Sequence, residues 1–150
     1  MKEVKHYVAL VLSELCTKNF KDVCKKRRDA KGKYLPNVFA GNRPSAGPEL
    51  DEFLVIRTSS NFGDHNVYQQ ASVYVQIYVR NLENGLQNIM RLQELEDKVI
   101  EKFPIITERY VVKNPALQLS GDDELGFSVW LVRANLQINT TDRFVWPDKE

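Results

Sequence analysis

The sequence has few of the residues that mark a redox, metal-binding or disulfide-rich protein. Only two of its 150 residues are cysteines, Cys16 and Cys24. Zinc sites usually contain close C-x-x-C pairs, and these two residues stand too far apart to form one. We therefore interpret both cysteines as small buried hydrophobic residues. We predict no metal site and no cofactor.

Long hydrophobic runs are also missing. The longest apolar run near the start, residues 7–12, is too short for a signal-peptide core or a membrane span. The composition, 43% hydrophobic and 27% charged over 150 residues, is typical of one globular domain. We expect a single domain over residues 1–150 that is cytoplasmic and has no membrane partner.

Recognised catalytic patterns are absent as well. Neither a G-x-x-x-x-G-K-[ST] nor a G-x-G-x-x-G phosphate loop occurs. Asp64 and His65 share a predicted turn with Ser59 and Ser60, but adjacency in sequence does not supply the convergent geometry of an active site. The acidic run at 122–124 lacks the spacing of a calcium loop. We predict no catalytic residue and expect that the protein is not an enzyme.

One stretch that is present, "YQQASVYVQIYVR" at residues 68–80, alternates strictly. Side chains of a strand alternate between its two faces, so the aliphatic residues share one face. The other face is polar and aromatic, with neither Lys nor Glu. Tyr and Arg are enriched in protein interfaces, whereas Lys and Glu are depleted. The sequence therefore predicts either a subunit interface or a face covered by the chain itself, formed by Gln70, Tyr74, Gln76, Tyr78 and Arg80.

Periodic apolar positions elsewhere predict the other elements. Spacings of three and four predict an opening helix, with a second short helix or kinked extension to about Arg28, and a later helix over 89–103. Strands are predicted at 53–58, at 109–120 with a break at Asn114 and Pro115, and at 125–138. The long strand at 68–80 should contain a bulge or project beyond the domain.

These elements follow the order α-β-β-α-β-β. This order predicts an α+β fold with a mostly antiparallel sheet and helices packed on one face. Residues 32–50, rich in Pro and Gly, are predicted to form a long loop. Within it, residues 34–39 are apolar enough to lie against the body or form a short edge strand. The tail at 139–150 carries Trp146, which we expect to dock on its own domain or on a neighbouring subunit.

Charge is unevenly distributed, at +6 over residues 1–40 and −5 over the remainder. Clustered cations can neutralise nucleic-acid phosphates, but the tract "CKKRRDAKGK" at 24–33 contains no aromatic residue and is only adjoined by Tyr34. We interpret it as a solvated helix end and loop, and do not expect nucleic acid to be a partner. The basic patch consists of Lys25, Lys26, Arg27, Arg28, Lys31 and Lys33.

The order of the elements resembles the tail-terminator, or tail-completion, proteins of long-tailed bacteriophages and prophages. The segments that carry the resemblance are "VALVLSEL", "VFAGNRPSAGPE", "FLVIRT", "QQASVYVQIYVR", "LQNIMRLQELEDKVIEKF" and "GFSVWLVRANLQI". The resemblance implies a virion component that forms a homo-oligomeric ring, commonly a hexamer, and meets other tail or neck proteins. The alternative is a non-enzymatic dimeric α+β module that binds a small ligand or nucleic acid.

Overall fold

The computed structural model describes residues 4–41, 50–58, 63–65, 68–122 and 126–139, and the side chains of 9–41, 50–58, 71–118 and 126–138. These residues contain two α-helices, α1 (Val4–Glu14) and α2 (Ile89–Glu101), and α1 continues as a π-helical segment over Leu15–Asn19. The strands are β1 (Val38–Ala40), β2 (Glu52–Thr58), β3 (Gly63–His65), β4 (Tyr68–Arg80), β5 (Ile105–Ile106), β6 (Tyr110–Asp122) and β7 (Phe127–Asn139).

The strands form one seven-stranded sheet in the order β1-β2-β4-β7-β6-β5, and β3 pairs with β4. Every pair is antiparallel except β1 with β2. The predicted α+β class and the α-β-β-α-β-β order of the longer elements are confirmed. The sequence did not predict β3 and β5, and it predicted β1 only as a possible edge strand within the 32–50 loop.

The helical extension to about Arg28 is wrong. The helical segment ends at Asn19, where the Phe20 N–H donates to the Leu15 carbonyl at 3.0 Å. Phe20, Val23 and Cys24 nevertheless have a helix-like spacing. They belong to a turn that packs on the core, and all three side chains are buried there. A turn that faces the core produces the same apolar spacing as one helical stripe, and the sequence pattern does not separate the two.

β4 runs unbroken, and every residue from Tyr68 to Arg80 has a partner in β7. The irregularities lie in β6, whose register with β7 shifts between Leu119 and Asp122 and also between Lys113 and Ala116. Asn114 has a φ of +58° there, a conformation that Asn tolerates better than most residues. The predicted break at 114–115 is thus a bulge within one continuous strand.

Both helices pack on one face of the sheet, as predicted. Leu15, Leu92, Leu95 and Val99 are fully buried against the aliphatic side chains of the central strands. The aliphatic face of β4 and alternate residues of β7 belong to this cluster, namely Val73, Val75, Ile77, Val79, Trp130, Val132, Ala134, Leu136 and Ile138. β7 lies between β4 and β6, the central position that its apolar first half predicts.

α2 begins at an amide cap. The Asn88 side chain accepts a hydrogen bond from the Arg91 N–H at 3.3 Å, which satisfies one of the free N–H groups at the start of the helix. The helix ends before Pro104, as predicted. Between these two ends, the buried residues Leu92, Leu95 and Val99 hold the helix on the sheet.

Candidate assembly surfaces

The polar and aromatic face of β4 is partly packed against the chain itself. The Phe53 ring stacks on the Tyr78 ring with 4.6 Å between centroids. Phe39 and Phe127 meet the same Phe53 ring edge-on, at 5.8 and 5.3 Å. Tyr78 is only 6% exposed. At this end, the chain's own residues cover the face, which is the second of the two predicted alternatives.

Arg80 is also held within the chain. Its guanidinium carbon lies 4.7 Å from the centre of the Phe127 ring. Its Nη2 donates to the Leu50 carbonyl at 2.8 Å, and its Nε lies 3.2 Å from Asp51 Oδ1. These contacts fix the chain just before β2 against the last residue of β4. We therefore assign Arg80 an intramolecular role.

The remaining predicted interface residues are less covered or undescribed. Tyr74 and Gln76 are half-buried. The Arg133 guanidinium carbon lies 6.0 Å from the Tyr74 ring centre, at the outer limit of a cation–π contact. The Gln70 side chain and all of Trp146 lie outside the described residues. An interface role for Tyr74 and Gln76 stays a prediction.

A second surface, which the sequence analysis missed, lies before and at the start of α2. The turn preceding the helix is closed by hydrogen bonds from the Gly85 N–H to the Leu82 carbonyl and from the Leu82 N–H to the Leu86 carbonyl, at 2.8 and 2.9 Å. Its apolar side chains point to solvent, and Met90 is 78% exposed. We call this surface the apolar corner; it consists of Leu82, Leu86, Ile89 and Met90.

The exposure of Ile89 corrects the predicted helix stripe. In the helix predicted over 89–103, spacings of three and four put Ile89 on one stripe with Leu92, Leu95 and Val99, yet Ile89 is 52% exposed. Side chains of an α-helix tilt toward its N-terminus. At the first helical position this tilt carries the Ile89 side chain toward the end of the helix, where no preceding helical turn covers it. The signal in the sequence was Met90 next to Ile89, because Met90 lies outside the period of the core stripe.

A third surface lies at the other end of α2. An open groove of about 540 Å³ runs between the end of the helix and strands β5 and β6. Ile106, one of its lining residues, is 70% exposed, and Lys113 also lines it. We call this surface the helix-end groove; its apolar lining consists of Ile100, Phe103, Pro104, Ile106, Val111 and Pro115.

The two surfaces are separated by the length of the helix. α2 has 13 residues, and an α-helix rises 1.5 Å per residue, so the apolar corner and the helix-end groove lie roughly 20 Å apart. They also differ in form, since the corner is a set of exposed side chains and the other surface is a groove. One molecule thus carries an exposed apolar corner and an apolar groove at opposite ends of one helix.

A buried ion pair holds the corner end of α2 in place. Arg91 donates from Nε and Nη2 to the two carboxylate oxygens of Glu52, each at 2.7 Å. The Lys25 N–H also donates to Glu52 Oε2, at 2.7 Å. Glu52 is 7% exposed, and its hydrogen bond raises the pKa of the Arg91 guanidinium. This pair joins the start of β2, the basic patch and α2 at one point.

The basic patch forms a tight, hydrogen-bonded loop over residues 25–34, which we call the basic loop. The Asp29 carboxylate accepts hydrogen bonds from the N–H groups of Lys31 and Lys33, both at 2.9 Å. Gly32 takes a φ of +84° at the turn, a conformation natural for glycine. Arg28 and Tyr34 pair across the loop as an isolated β-bridge. The structure therefore places these cations on a defined turn and not at a helix end.

The interpretation of the cysteines is confirmed for Cys24, which is buried, whereas Cys16 is half-buried. Burial raises the pKa of both thiols, so neither has the thiolate character of a reactive cysteine. Within the described ranges no group of three or more His, Cys, Asp or Glu side chains has the arrangement of a metal site. The side chains of Asp64 and His65 lie outside the described residues.

In the part of the chain that the structure describes, none of the helices has the length and apolar character needed to cross a membrane. No protein-family model matches the chain. No curated protein matches it either. The surfaces described above are therefore the basis on which its function is inferred.

Proposed function

We propose that the chain is a structural assembly subunit that joins head-to-tail into a ring, like the tail-terminator proteins it resembles. The observation that carries the proposal is the pair of exposed apolar surfaces at opposite ends of α2. In each contact the apolar corner of one subunit enters the helix-end groove of the next. Such a contact joins two different surfaces, so repeating it gives a closed ring when the rotation between subunits allows closure.

The chemistry of the two surfaces supports this pairing. Exposed Met side chains adapt to irregular apolar surfaces, and Met90 is the most exposed of the large apolar residues in the described side chains. The groove has an apolar lining, so a corner-to-groove contact buries apolar surface on both subunits.

The anchoring of the corner supports the same role. The Glu52–Arg91 pair fixes the first turn of α2 to β2, so the corner is held in one orientation before it meets a neighbour. A preorganised surface loses less conformational entropy on binding. A ring closes only if the angle between neighbouring subunits is the same at every contact, because each subunit repeats the same rotation.

A dimeric binding module is the second candidate function, and the basic loop is the observation that favours it. A two-fold dimer would bury identical surfaces against each other, most simply corner against corner. The two candidates therefore differ in stoichiometry and in which surfaces must be intact. Both differences are measurable in solution.

The first test is the mass of the full chain, measured by light scattering after size exclusion at micromolar concentrations. We expect a closed oligomer larger than a dimer. Met90→Glu should reduce it to a monomer, because it places a charge in an apolar contact. The matched control is Gln93→Glu, which adds the same charge on an exposed position of α2 and should leave the mass unchanged.

Two results would contradict the proposal. If the wild type is a monomer at every concentration measured, it does not assemble by itself as proposed. If Met90→Glu has the same mass as the wild type, the corner is not part of the contact. Urea unfolding of Met90→Glu should match the wild type within about 0.5 kcal/mol, because the side chain is on the surface. A wild-type dimer would favour the binding module.

A further inference from the structure

The basic loop presents exposed cations to solvent. Arg27 pairs with Asp51, but within the described side chains Lys26, Arg28, Lys31 and Lys33 form no ion pair. The backbone under them is held by hydrogen bonds from the Leu35 N–H to the Arg27 carbonyl and from the Asp29 N–H to the Lys33 carbonyl, both at 2.8 Å. Four positive charges are thus displayed on a short, ordered turn.

An aromatic ring stands among these cations. The Arg28 guanidinium carbon lies 4.4 Å from the Tyr34 ring centre, and its Nη2 donates to the Tyr34 hydroxyl at 2.7 Å. Lys26 Nζ lies 5.9 Å from the same ring centre. Tyr34 is still 54% exposed. Folding therefore combines the two features that the linear tract lacked, a cation cluster and an aromatic surface.

A groove continues from the ring. It has a volume of about 340 Å³ and lies between the loop, the end of the first helical segment and β1. Tyr34, Leu35 and Val38 supply apolar lining, while Lys21 and Lys26 stand beside it. A flat ring linked to an anionic phosphate fits this combination of an aromatic side chain and cations.

We propose that the basic loop and this groove bind single-stranded nucleic acid without sequence preference. The phosphates lie against Lys26, Arg28, Lys31 and Lys33, and a base stacks on the exposed part of Tyr34 at the mouth of the groove. Unpaired bases stack on exposed aromatic rings, whereas the bases of a duplex are already stacked. This site goes beyond the proposed assembly role and shares no residue with the apolar corner or the helix-end groove.

The test is fluorescence anisotropy of the full chain with a labelled oligothymidylate of about 16 nucleotides, a length that covers known single-strand sites. Each phosphate contact on a single strand contributes about −0.7 to the slope of log K against log salt. Four contacts give a slope of about −3, so raising the salt fourfold should weaken binding about 50-fold. The same sequence as a duplex should bind more weakly.

Variants separate the two parts of the site. Lys31→Ala with Lys33→Ala should weaken binding and halve the salt slope. The control Lys98→Ala with Lys102→Ala removes the same charge from exposed positions at the end of α2 and should leave binding within about twofold. Tyr34→Ala should weaken single-strand binding about fivefold or more, whereas Tyr34→Phe keeps the ring and should bind nearly as the wild type does.

Three results would overturn the proposal. The first is no rise in anisotropy at low salt, and the second is equal weakening by the two lysine pairs, which would indicate net charge and not a site. The third is a combined result, in which the duplex binds more tightly than the single strand and Tyr34→Ala has no effect on binding. It would show that no base stacks on Tyr34. Circular dichroism of each variant confirms that it is folded before its binding is compared.

Discussion

The outer face of β4 and the two ends of α2 are both rich in apolar or aromatic side chains, but the chain covers them differently. On β4, Tyr78 is buried under its own neighbours, with Phe53 stacked on it. At the ends of α2, Met90 and Ile106 are 78% and 70% exposed. The first region is part of the fold, whereas the second is available to another molecule.

The difference shows what an unusual surface composition indicates. A strand face without Lys and Glu predicts that the face is covered. The cover can be another subunit or the chain itself. Here the residues around β1 and Leu50 cover one end of the face. Exposed apolar groups on a helix end have no such explanation in the described structure, and they are therefore the stronger evidence for a partner.

The largest effect should follow truncation within the covered face. Phe53→Ala removes a fully buried ring that contacts Phe39, Tyr78 and Phe127. We expect it to lower the free energy of unfolding by about 3–5 kcal/mol, measured by urea denaturation. Leu86→Ala, at the exposed corner, is the control and should change it by under about 0.5 kcal/mol. Similar losses of unfolding free energy for both variants would show that the covered face and the exposed corner do not differ in their contribution to the fold.

A smaller effect should follow loss of the ion pair that anchors the corner. Glu52→Gln replaces the carboxylate that accepts both Arg91 hydrogen bonds. We expect a loss of about 2 kcal/mol, because the Arg91 side chain is 23% exposed and water can partly solvate it. Glu94→Gln affects an exposed partner of Arg91 at 3.6 Å and should cost under about 0.5 kcal/mol. Equal costs would show that the buried pair does not fix the helix.

The smallest effect on stability should occur at Tyr74, which is half-buried on the outer face of β4. Tyr74→Ala should lower the free energy of unfolding by about 1 kcal/mol and leave the oligomer mass unchanged, as measured by light scattering. A loss of the oligomer would instead assign the contact between subunits to the sheet face. This variant therefore decides between the strand surface and the helix ends.

The element order was predictable because the long elements have clear periods. The alternating aliphatic residues of β4 and the apolar stripe of α2 at Leu92, Leu95 and Val99 are the sides that these elements bury in the core. Pro104 follows the end of the helix. The short strands β3 and β5 lack that signal, since three and two residues do not show a period. The helix-like spacing of Phe20, Val23 and Cys24 arises instead from a turn.

The surfaces were harder to predict than the fold. Ile89 matches the core stripe in spacing, and only its position at the first turn of α2 places it outside the core. The helix-end groove combines residues from α2, β5 and β6, which no local pattern brings together. Tyr34 adjoins the basic tract in sequence, but its contact with Arg28 depends on the turn at Gly32.

The most direct test of the head-to-tail contact is a mixture of two variants, each with one surface altered. Met90→Glu keeps the groove, and Ile106→Glu keeps the corner. Each variant alone should be a monomer by light scattering, and an equimolar mixture should form a one-to-one dimer and nothing larger, because only one productive contact remains. A mixture that stays monomeric, or either variant assembling alone as the wild type does, would contradict the account.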